Sequence, residues 1–106
     1  MFTLAYFNTA VQAGVQGWPD GLRARYIALT LRMVEHGPDL GMPHTRTLGA
    51  GMFEIRAKGR EGVGRAFYCT LVGRRIVILH QFIKKSPKTP ARELRIARTR
   101  MKEIKA

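Results

Sequence analysis

The apolar residues change period near residue 51, and this switch constrains the fold more than any other feature of the chain. Upstream, Leu22, Tyr26, Leu29 and Met33 recur at helical spacing, with Ile27, Leu31 and Val34 widening the stripe. Downstream, Phe53, Ile55 and Ala57 alternate with Glu54, Arg56 and Lys58, the period of a half-buried strand. Helical segments followed by a run of strands predict an α+β domain, with the helices covering one sheet.

The remaining elements follow from local signals. Phe2 to Phe7 is short, apolar and aromatic, and reads as a strand. Asn8 or Thr9 suits the cap of a helix over about Ala10 to Gln16, which Gly17 ends. Pro19 fits the first turn of the next helix, and Gly37-Pro38 stops it. The segment from Pro38 to Gly51 carries Gly41, Pro43 and Gly49 and reads as a loop. Strands are expected over Met52 to Lys58, Arg65 to Val72 and Ile76 to Ile83. A glycine-rich turn (Gly59 to Gly64) and the tight connection Gly73-Arg74-Arg75 join them. The third of these strands is nearly all apolar, as a central strand is. A last helix starts at Thr89-Pro90 and places Leu94, Ala97, Met101 and Ile104 on one stripe. Arg92, Arg95, Arg98, Lys102 and Lys105 lie away from that stripe.

The expected architecture is a single domain over residues 1–106 with two layers. Its antiparallel sheet is a three-strand meander plus the N-terminal strand, packed on two N-terminal helices and followed by a C-terminal helix.

Charge limits the partners. Residues 1–55 are neutral: Arg23, Arg25, Arg32 and Arg46 balance Asp20, Glu35, Asp39 and Glu54. Residues 56–106 carry the whole formal charge of +12, with 15 Lys and Arg against Glu61, Glu93 and Glu103. So lopsided a field points to a polyanion, and nucleic acid is the default candidate. No apolar run reaches the roughly 18 residues of a membrane span, so no membrane partner is expected. The N-terminus lacks the pattern of a signal peptide. A single cysteine, Cys69, forms no internal disulfide and argues against a cysteine-based zinc site. The expected setting is the cytoplasm, with neither metal nor cofactor.

Three runs carry a family resemblance. Leu48-Gly-Ala-Gly-Met-Phe-Glu-Ile-Arg-Ala-Lys58 and Gly64-Arg-Ala-Phe-Tyr68 resemble two strands of phage-derived HigB-type toxins of the RelE/ParE superfamily. Ile78-Leu-His-Gln-Phe-Ile-Lys-Lys-Ser-Pro-Lys-Thr-Pro90 is similar to a third, more specific motif of those proteins. Gln81 stands where glycine is usual and Ser86 where threonine is usual, and Gln81 is expected to add a side chain near the site. The resemblance covers about residues 18 to 105. It implies a RelE-like fold and the toxin of a type II toxin–antitoxin system. Such a toxin is a ribosome-dependent messenger RNA endonuclease that inhibits translation, held in check by a helix-turn-helix antitoxin. Two alternatives stay open: a ParE-like gyrase inhibitor and a non-catalytic RNA-binding module.

Cutting RNA without a metal uses the substrate's 2′-hydroxyl as nucleophile. The protein must then move two protons and stabilise charge building on the phosphate. Arg56, Lys58 and Arg65 suit the phosphate, since guanidinium matches its oxygens. Glu54 shares their face and reads as an ion-pair partner more readily than as a base. His80 is the proton-transfer candidate, against the plainer reading of a packed strand histidine. Arg74, Arg75, Phe82, Lys84, Lys85 and Lys88 complete the expected RNA contacts, with Phe82 balanced between base stacking and core. Tyr68 reads as core. Arg65→Ala is expected to abolish toxicity and leave the fold intact.

Overall fold

A computed structural model describes residues 1–84 and 90–105. Its elements run β1 (Thr3–Tyr6), α1 (Thr9–Gln16), α2 (Asp20–His36), β2 (Thr45–Gly49), β3 (Met52–Gly59), β4 (Gly62–Leu71), β5 (Arg75–Lys84) and α3 (Ala91–Lys105). The strands form one sheet in the order β1-β5-β4-β3-β2.

Two helices begin and end where the local chemistry dictates. The Asn8 side chain accepts from Val11 N at 2.9 Å and caps α1. Pro19 sits at the cap of α2, just before its first turn, and Gly37 at φ 114° ends that helix. Thr89, the expected cap of α3, lies outside the described residues.

Four strands, β2 to β5, form an antiparallel meander. The sequence reading expected three. The missed strand, β2, lies inside the segment read as a loop. Thr45 and Thr47 are β-branched, but flanking Gly41, Pro43 and Gly49 masked the signal. β1 pairs parallel to β5, so the sheet is mixed where an antiparallel one was expected. A parallel pairing needs a long crossover, which the intervening α1, α2 and meander supply.

The helices divide between the two faces of the sheet. Leu22, Tyr26, Leu29 and Met33 of α2 and Val11 and Val15 of α1 pack on Ile55, Ala57, Ala66, Tyr68, Ile76 and Ile78. Ala97 and Met101 of α3 pack on Met52, Phe67, Cys69, Val77 and Leu79. The sheet is therefore sandwiched, and the expected two layers become three. The expected stripes of α2 and α3 hold, with one correction: Ile27 and Leu31 are 48% and 62% exposed, so the buried stripe of α2 is narrow. A stripe two residues wide suffices because β3 and β4 present small side chains, Ala57, Gly64 and Ala66, beneath the helices.

One irregularity sets what each face carries. The register between β4 and β5 slips between Phe67 and Tyr68, so Phe67 pairs His80 while Tyr68 pairs Ile78. Leu79 is the extra residue of a β-bulge. Val77 and Leu79 face α3, and the bulge returns His80 to the same face, with Phe82 two residues on. Gln81 points the opposite way. Its Oε1 accepts from Trp18 Nε1 at 2.6 Å, and it packs against Gly14. Gln81 thus braces the helical layer on the far side of the sheet, and the expectation that it adds bulk near the site is corrected.

Candidate functional site

The α3 face of the sheet gathers cations around a buried carboxylate. Glu54 of β3 is fully buried. Arg46 of β2 pairs it directly across the ladder and donates from Nε to Glu54 Oε1 at 2.9 Å. Arg65 Nε of β4 lies 3.5 Å from Glu54 Oε2, and Arg56 Nε lies 3.8 Å from Oε1. The last two contacts are ion pairs without a hydrogen bond.

Register explains the convergence. Arg56 pairs Arg65, and Arg65 pairs Phe82, forming one transverse row. The neighbouring row runs Arg46, Glu54, Phe67, His80. A third row runs Lys58, Val63, Lys84, with Lys58 exposed and Lys84 half-buried. Rows two residues apart along a strand stand about 7 Å from each other. The site thus lies at one end of the sheet, beside the first turn of α3.

Its electrostatics are one-sided. Three guanidiniums and one carboxylate leave a net +2 (3 − 1). The surplus of positive charge suits an oxyanion such as phosphate. Burial pushes the Arg65 guanidinium below its ordinary value, and Arg56 and Arg46 push the same way, while Glu54 opposes them. Arginine stays protonated even so. Glu54 therefore lets three like charges share a few ångströms of sheet, confirming the ion-pair reading of its sequence pattern.

His80 sits at the far end of the Glu54 row. Its Nε2 is 3.1 Å from Glu93 Oε1 in the first turn of α3, and both side chains are largely covered. Its ring stacks on Phe82 with centroids 6.0 Å apart, and Phe82 meets Phe67 edge-on at 5.4 Å. Phe82 thus packs into the α3 cluster between two other rings.

The structure brings Arg56, Lys58, Arg65, His80, Phe82 and Lys84 together on one face. It does not bring Arg74 and Arg75 there. Arg75 opens β5 at the end opposite Lys84, nine residues and about 30 Å of strand away. Arg74 takes φ 57° in the β4–β5 turn and lies over the Phe2 ring at 5.8 Å. Arg74 and Arg75 thus stand apart from that face, because the length of β5 separates them from Lys84. Lys85 and Lys88 lie outside the described residues. Tyr68 is core, as expected: fully buried, stacked on Phe53, its hydroxyl donating to the Pro38 carbonyl.

Sequence reasoning missed Arg46 and Glu93. Arg46 was hidden with β2. Glu93 falls three residues after the run Lys88-Thr89-Pro90, and only the packing of α3 shows that it meets His80. Arg65 is 2% exposed, so it holds the site together from beneath. Arg65→Ala would strip a cation from a buried carboxylate and lower the stability of the sheet.

Among the described residues, no three His, Cys, Asp or Glu side chains gather as a metal site would need. Among them, too, no helix is long and apolar enough to cross a membrane.

Residues 14–102 match the family described as Phage derived protein Gp49-like. The chain belongs to that phage-derived family. The match includes β2 to β5 and most of α3, so every residue of the cationic face lies inside the region shared with the Gp49-like family. No curated protein matches the chain.

Proposed function

We propose that this chain is the toxin of a type II toxin–antitoxin pair, a RelE-like endoribonuclease that cuts messenger RNA on the ribosome. The observation that carries the reading is the cluster of Arg46, Arg56 and Arg65 on buried Glu54, which shares a transverse row with His80. Family membership and the three motif runs support it.

In this reading, Arg46 and Arg56 receive the scissile phosphate and stabilise the negative charge that grows on it during cleavage, while buried Arg65 supports them from beneath. Lys58 and Lys84, at the open end of the face, hold flanking phosphates. His80 moves a proton. Phe82 orders the His80 ring by stacking. The basic outer side of α3, with exposed Arg92, Arg95 and Lys102, suits ribosomal RNA. A helix-turn-helix antitoxin with acidic residues would neutralise either surface, and the setting would be the cytoplasm.

Pulse-labelling after induction tests this reading. Incorporation of amino acids should fall within minutes, before that of thymidine. Arrest of DNA synthesis first would move the assignment to a gyrase-type inhibitor.

A further inference from the structure

We propose that Glu93 is a positioning residue for His80, and that the pair forms the proton-transfer dyad of RNA cleavage. The proposal rests on the nuclease reading above.

The geometry comes from two separate elements. His80 follows the bulge of β5, and Glu93 projects from the first turn of α3. Their contact is 3.1 Å, with side-chain exposures of 15% and 19%. Phe82 stacks on the ring and limits its rotation. Arg100 Nη1 donates to the carbonyl of Leu79, the residue before His80, at 2.8 Å, and fastens α3 to the strand at that point. Among the described residues, His80 is also the one histidine on the sheet.

A carboxylate at Nε2 fixes the tautomer. The proton sits on Nε2, and Nδ1 keeps the lone pair. Glu93 also stabilises the imidazolium that forms when Nδ1 takes a proton. Of the charged groups, Glu93 touches the ring, Arg100 of α3 bonds the neighbouring Leu79 carbonyl, and Glu54 shares the row of His80, with Arg65 in the adjoining row. Adjacent strands are about 4.8 Å apart, so Arg56 on β3 stands two strands, about 10 Å, from β5, and a phosphate on Arg56 lies within side-chain reach of His80.

The step balances as a transesterification. The 2′-oxygen attacks phosphorus, and its proton passes to His80 Nδ1. The bond from phosphorus to the 5′-oxygen breaks, and that oxygen takes a proton from water. The products are a 2′,3′-cyclic phosphate and a 5′-hydroxyl.

An acidic residue in the first turn of a helix is also favoured by the helix dipole, with or without a histidine beside it. A double-mutant cycle separates the two roles. Single-turnover cleavage of messenger RNA on programmed ribosomes is measured for the wild type, His80→Ala, Glu93→Gln and the double variant, with RNA affinity measured alongside. His80→Ala should slow cleavage by roughly 100-fold or more. Glu93→Gln should slow it by roughly tenfold or more at unchanged affinity, and should add nothing in the His80→Ala background. Glu93→Asp, which keeps the charge, should recover part of the rate and covers the case of a Gln variant with a loosened α3. Multiplying losses, or an unaffected Glu93→Gln, would overturn the dyad while leaving the nuclease standing. A wild-type protein that leaves the message intact would overturn both.

Discussion

Arg46 Nε donates to Glu54 Oε1 at 2.9 Å across the β2–β3 ladder, and the carboxylate that accepts is wholly buried. The bond joins a strand invisible in the sequence pattern to the centre of the cationic face. Charge neutralisation around Glu54 therefore couples the stability of the sheet to the shape of the site.

Glu54→Gln tests that coupling. The amide keeps the volume and removes the only negative charge among three guanidiniums. We expect a loss of about 3–5 kcal/mol, the usual cost of orphaning a buried ion-pair partner. Urea unfolding should show a lower midpoint at an unchanged slope.

Arg46→Ala and the pair Arg74→Ala, Arg75→Ala should separate cleanly. Arg46 borders the site, so its removal should weaken RNA binding and flatten the salt dependence by about one unit. Arg74 and Arg75 lie at the other end of the sheet, and their loss should leave cleavage nearly unchanged. Binding titrations at several salt concentrations and the ribosome assay report both.

Tyr26 and Tyr68 set an alkaline limit. Burial raises the pKa of each, aided at Tyr26 by its hydrogen bond with Tyr6. Unfolded tyrosines release protons near pH 10 while the folded ones keep theirs, so the unfolded state binds fewer protons above that point. Stability is fully present below about pH 10 and falls above it, by about 1.4 kcal/mol per pH unit for each tyrosine. Tyr26→Phe and Tyr68→Phe should each reduce this slope in urea titrations between pH 9 and pH 11.

Cys69 should resist thiol reagents in the folded protein. It is fully buried under α3, and burial pushes its thiol pKa up, so little thiolate forms. Labelling should begin only as urea unfolds the chain. Rapid labelling at zero urea would show that α3 leaves the sheet.

The sequence carried some of this and withheld the rest for physical reasons. Alternation in β3 placed Glu54, Arg56 and Lys58 on one face, because side-chain period is a local property. The stripe of α2 from Leu22 to Met33 was legible in the same way. Pairing is not local. The parallel partner of β1, the bulge at Leu79 and the face taken by α3 depend on tertiary packing. So does the meeting of His80 and Glu93. Arg65 showed its charge in the sequence and hid its burial, which changes its role from exposed phosphate ligand to internal support.

The most direct test of the nuclease claim is to induce the chain from a tight promoter and map messenger RNA 5′ ends during arrest. New ends inside translated frames, lost when translation is blocked beforehand, are the expected result. Arrest with intact messages would contradict it.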